Sequence, residues 1–171
     1  MPPAWARRAG VAAAALALVA CASPGPRIER GTFRVPERFR ISVPGPQWEA
    51  VSEARADLEL RHQAGDAGLL ANAECGGRHA RADLRGLTRR LFVGFRGREV
   101  LETGVTEVAG LPAAHAVVEG RVTGEERRVR VEAFIIKTEG CVYDLVYVAP
   151  TDAFAERRPD FERFVASFVK E

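Results

Sequence analysis

Six side chains in this chain could act as nucleophiles, redox partners or soft metal ligands: Cys21, Cys75, Cys141, His62, His79 and His115. Cys75-x3-His79 has a spacing that places two ligands on one metal ion. A closed zinc site needs about four ligands, however, and no second paired motif supplies the others. A Cys75 thiolate with His79 or His115 as base would suit a thiol-dependent enzyme, given a depressed thiol pKa and a third orienting group. Neither a Gly-x-Ser-x-Gly elbow nor a phosphate-cradling glycine loop is present. Without a complete catalytic set, the expectation is a non-catalytic protein with no cofactor and no metal. Asp144 is the oddest acid, standing between Tyr143 and Leu145 in an otherwise apolar run. Either it lines a small-ligand pocket or it is a solvated or hydrogen-bonded acid on the face shared with Val142 and Val146, and its burial decides between these.

The first cysteine has a different setting. Arg7 and Arg8 precede the apolar run from Val11 to Ala20, which ends in Leu18-Val19-Ala20-Cys21. This run is about half the roughly 20 residues needed to cross a bilayer, so export and cleavage are favoured over a permanent span. The segment resembles a bacterial lipoprotein signal peptide over residues 1–20. That resemblance implies that Cys21 becomes the first mature residue and carries lipid on its sulfur and amine. Ala22 points to the periplasmic face of the outer membrane, by analogy with known sorting rules. The neighbours of Arg7-Arg8 lack the support that twin-arginine export would need.

Cleavage would remove two arginines and no acid, taking 25 basic against 23 acidic residues to 23 of each. A neutral mature chain gives no argument for nucleic acid as a partner. Cys75 and Cys141 then form an even pair in a compartment where disulfides persist, and a bridge between them is expected. The positive charge that remains is local. Seven arginines lie between residues 78 and 98, with Asp83 as the sole acid among them. Arg78, Arg81, Arg85 and Arg89 follow a 3-4-4 spacing that aligns them along one helix flank, either as a docking surface for an anionic partner or as a solvated face.

The elements that must position these residues read as one domain. Residues 21–31 form the lipidated cysteine and a tether, because Ser23-Pro24-Gly25-Pro26 neither starts a helix nor pairs regularly in a sheet. Strands are expected at Thr32 to Val35, Arg38 to Val43, Asp57 to Gln63 and Leu69 to Cys75. Leu84, Leu87, Leu91 and Phe95 have helical spacing, and strand patterns follow at Glu99 to Val108, Ala113 to Val122, Arg127 to Lys137 and Val142 to Val148. A two-residue turn at Thr123-Gly124 would oppose Arg121 to Glu126, Glu119 to Arg128 and His115 to Glu132. Moving that turn by one residue opposes Arg121 to Arg128, so the first register is favoured. Thr151 is a candidate N-cap, followed by a short helical turn near 152–157 and a helix starting near Pro159.

Several segments taken in order resemble the PsbP-like family. They are the strand ending in Pro44-Gly45-Pro46-Gln47-Trp48, Ala109-Gly110-Leu111-Pro112-Ala113 leading into a long hairpin, the strand from Cys141 to Ala149, and the closing Phe161 to Phe168. The resemblance spans residues 32–169. It implies an α+β domain over residues 32–171, with a twisted antiparallel sheet of about six to seven strands carrying packed helices. It also implies a protein-binding or envelope-assembly role. It transfers no site residues, since the matched features are turns and core positions.

Overall fold

A computed structural model describes residues 27–77 and 82–171. Seven strands form the main sheet, in the order β4 (Trp48–Ala50), β5 (Leu58–His62), β6 (Gly68–Cys75), β10 (Cys141–Pro150), β9 (Val129–Lys137), β8 (Leu111–Val122) and β7 (Phe95–Val108). A smaller sheet joins β1 (Arg27–Glu29), β2 (Thr32–Val35), β3 (Phe39–Ser42) and β11 (Val169–Lys170). Every pairing is antiparallel. Helix α1 (Leu84–Leu91) lies on one face of the main sheet and α2 (Phe154–Ala166) on the other. The α+β antiparallel fold expected from the sequence is therefore present, with the small sheet as an addition. Ile28 and Glu29, which the sequence assigned to the tether, instead pair with Phe33 and Thr32, and residues 21–26 lie outside the described residues.

Period-two alternation sets which side chains meet which helix. Tyr143, Leu145 and Tyr147 of β10 face α2 and join Phe154, Phe161, Phe164 and Phe168 in one core. Val142 of β10, Ala114, Ala116 and Val118 of β8 and Ile135 of β9 contribute to the smaller core under α1. Trp48, at the edge of the larger core, donates its indole N–H to Asp160 Oδ2 at 2.8 Å and so ties β4 to α2.

Three local expectations are corrected. The hairpin of β8 and β9 has the other register, with Glu119 opposite Arg130 and Val118 opposite Val131. Its ladder ends at Gly120 and Val129, one step before Arg121 and Arg128 would oppose each other. Arg128 instead turns back to Glu119 Oε1 at 3.0 Å, and His115 Nε2 lies 2.9 Å from Glu132 Oε1, so two of the expected charge pairs form diagonally. The C-terminal segment is a single helix containing Pro159, and Ala153 rather than Thr151 occupies its N-cap. An interior proline costs about 3 kcal/mol, and full burial of Phe161 and Phe164 at about 1.5–3 kcal/mol each offsets it. Helix α1 ends at Leu91, and Phe95 begins β7 while packing edge-on against Phe92 at 6.0 Å.

Candidate functional site

Short polar anchors place α1. Lys137 Nζ donates to the Ala82 carbonyl at 2.7 Å, and Asp83 Oδ1 accepts from the Gly86 N–H at 2.7 Å as the N-cap. Leu87 and Phe92 then seat the helix on β8 and β9. Because the cap is Asp83, only Arg85 and Arg89 of the expected stripe belong to α1. Arg78 and Arg81 lie outside the described residues, as do Cys21 and His79.

The structure adds a third cation to this flank. The β7 ladder slips between Arg96 and Glu99, where Gly97 takes φ +57°. Such a bulge re-aims a side chain, and here Arg98 joins Arg85 and Arg89 around a groove of about 590 Å³. Gly120 permits the close approach of the strands at the bulge, since a Cβ there would lie 3.1 Å from the Arg96 carbonyl oxygen. The groove floor is Ala114, Ala116 and Val118, and Leu84 and Phe92 form one wall. Val100, Thr103 and Val105 of β7 form the other wall, with Val100 54% and Val105 79% exposed. Among the described residues, Arg85, Arg89 and Arg98 make no ion pair.

Cys75 and Cys141 stand directly opposite each other on β6 and β10 and form the expected disulfide. Closing a 66-residue separation stabilises the fold by about 4 kcal/mol on the chain-entropy estimate. With its sulfur in the bridge, Cys75 provides neither thiolate nucleophile nor metal ligand. Among the described residues, no three His, Cys, Asp or Glu side chains gather into a metal-binding group.

Asp144 is half-buried beside Glu74, Arg90, Leu87 and Leu91, in a cleft of about 290 Å³. Burial raises its pKa to about 6, Glu74 adds to the rise and Arg90 opposes it. This small, acid-lined cleft differs from the enclosed apolar cavity that a carrier site at Asp144 would need.

On the opposite face, buried Glu132 accepts two bonds from the Arg158 guanidinium, Nε to Oε2 at 2.8 Å and Nη2 to Oε1 at 3.0 Å. His115, stacked on Phe134 at 4.6 Å, lies against the same carboxylate. Burial alone would raise the Glu132 pKa, but the hydrogen bonds from His115 and Arg158 outweigh it and hold the carboxyl below its ordinary value. The sequence paired His115 with Glu132 through the hairpin. Arg158 arrives from α2, 26 residues further on, and no local pattern announces it.

No protein-family model matches the chain, and no curated protein matches it. Solved structures do. Cyanobacterial PsbP (CyanoP) from Synechocystis superposes with a TM-score of 0.58 at 13% identity, covering 82% of this chain and 91% of that one. LpqN of Mycobacterium tuberculosis, described as involved in cell envelope biogenesis, gives 0.57 at 14% identity, covering 80% and 86%. A crystal structure from Bacteroides thetaiotaomicron gives 0.60 at 10% identity, covering 82% of this chain, which spans about half (48%) of that one. Element order, antiparallel topology and these superpositions agree: the chain has the PsbP-like fold.

Proposed function

We propose that the protein is a lipid-anchored, non-catalytic binding or assembly module of the bacterial cell envelope. Cys21 holds it on the membrane, and an anionic envelope partner docks on the side formed by α1 and β7. One observation carries this reading: Arg85, Arg89 and Arg98 converge with no acid partner among the described residues, beside a strand whose apolar residues remain in water. Arginine suits such a surface because its planar fork can bind carboxylate or phosphate bidentately. The bridging of Cys75 supports a non-catalytic role by removing the thiolate that thiol chemistry requires. No helix among the described residues is long and apolar enough to cross a membrane, which is consistent with attachment through lipid. The fold shared with LpqN, itself described as involved in cell envelope biogenesis, supports an envelope role.

Two measurements test the proposal. Cys21→Ser should move the exported protein from the membrane to the soluble fraction, because several acyl chains anchor what a single chain would not. Continued membrane partition of that variant would reject the anchor. Crosslinking in the native envelope, followed by identification of the captured species, should lose one defined partner when Arg85 and Arg89 are both changed to glutamate. Unchanged capture would reject this side as the binding face.

A further inference from the structure

We propose that the groove between α1 and the β7–β8 hairpin binds a single-chain lipid anion, with its acyl chain along the apolar β7 wall and its headgroup between the arginines. This inference rests on the reading of α1 and β7 as the binding face and names the chemistry of what binds there.

The groove combines two features that an acidic protein surface would not need together. Ala114, Ala116 and Val118, at successive positions on one face of β8, close its base and are themselves buried, so the apolar surface open to an occupant is that of the β7 wall. The groove has a volume of about 590 Å³, within the roughly 300–1,000 Å³ range of small-molecule sites. Thr88 offers little polarity to an occupant, since its hydroxyl already donates to the Leu84 carbonyl at 2.8 Å. Val100 and Val105 keep apolar surface in water along the β7 wall. A chain laid against them removes that surface from solvent.

Charge selects the headgroup. Arg85 and Arg89 are one turn apart on α1, and Arg98 enters from the bulged β7, so the cations come from both walls. Among the described residues, no carboxylate lines the groove to neutralise them. A headgroup carrying phosphate or carboxylate can accept from these guanidinium groups while its chain stays on the β7 valines. A free anion lacks the second contact, and a neutral chain lacks the first. The cleft holding Glu74 and Asp144 sets two acids beside one arginine, Arg90, and so favours the same ligand less.

The test uses the full-length chain carrying Cys21→Ser, so that no lipid of its own competes, titrated by calorimetry with dodecyl phosphate below its micelle concentration. One dodecyl phosphate should bind per chain, with inorganic phosphate and neutral dodecyl maltoside at least tenfold weaker. Thr103→Trp, an exposed substitution on the β7 wall, should block the groove and weaken dodecyl phosphate at least tenfold without changing the melting temperature. Arg85→Glu with Arg89→Glu should weaken it comparably. Tight binding that Thr103→Trp leaves unchanged, or uptake that never saturates, would overturn the proposal. Failure of dodecyl phosphate to bind would overturn it too. If envelope capture still depended on Arg85 and Arg89, the binding face would nevertheless stand, whereas capture indifferent to both arginines would remove that face as well.

Discussion

The two faces of the seven-stranded sheet use their residues in opposite ways. Under α2, large aromatic side chains fill the space: Tyr147 stacks on Phe161 at 5.6 Å and Phe39 on Phe168 at 5.9 Å. Buried polar groups there have partners, as with Glu132 between Arg158 and His115, and Asp160 beneath Trp48. Under the eight-residue α1, alanines line the sheet, β7 is left uncovered along most of its length, and three arginines at the groove have no acid partner among the described residues. Stability resides mainly on the first face. The second leaves apolar surface and charge exposed to solvent.

Truncation should separate the faces most strongly. Phe161→Ala removes a fully buried ring from the larger core and should destabilise by about 3–5 kcal/mol, whereas Leu87→Ala under the short helix should fall near the lower end of about 2–5 kcal/mol. Chemical denaturation measures both, and equal losses would erase the distinction between the faces.

A smaller effect comes from two carboxylates that titrate in opposite directions. The folded-state pKa of Glu132 is lowered, so its contribution is present above the ordinary carboxylate value and is lost as pH falls through the folded one. Glu132→Gln should therefore cost about 2 kcal/mol at neutral pH, with the difference from the parent shrinking in acid. The folded-state pKa of Asp144 is raised to about 6, so its sign is reversed. The neutral form is favoured on folding, and stability is lost as pH rises from about 4 through 6. Asp144→Asn should stabilise by about 1–3 kcal/mol at pH 7.5 and have little effect at pH 4. Melting curves across this range check both signs. A variant of Asp144 equally stable to the parent at pH 7.5 would remove the burial argument.

The smallest effect on folding belongs to the arginines. Changing Arg85 and Arg89 to glutamate should alter stability by less than about 1 kcal/mol, because exposed charges contribute little. Calorimetric melting measures this, and a large loss would mean the pair supports the fold rather than a partner.

What the sequence disclosed follows the same division. The Cys75–Cys141 bridge was legible from the even count left once Cys21 is set aside for lipid, and the strand faces were legible from alternation. The hairpin register was not. A slip of two residues preserves every face, and arginine is long enough to reach Glu119 from the diagonal, so charge complementarity could not separate the alternatives. The continuity of α2 through Pro159 reflects tertiary burial that overrides a local breaker. The groove was the least legible part. Arg98 was visible only as one of seven arginines, and it takes the bulge at Gly97 and the cap at Asp83 to group it with Arg85 and Arg89.

The central claim is that the α1 and β7 side meets the partner while the α2 side supports the fold. Placing a photo-crosslinking residue at Val105 or at Glu162 compares exposed positions on the two faces directly in the native envelope. The account predicts a defined adduct from Val105 that disappears when Arg85 and Arg89 are reversed, and none from Glu162. The same adduct from Glu162, or one from Val105 indifferent to the arginines, would contradict it.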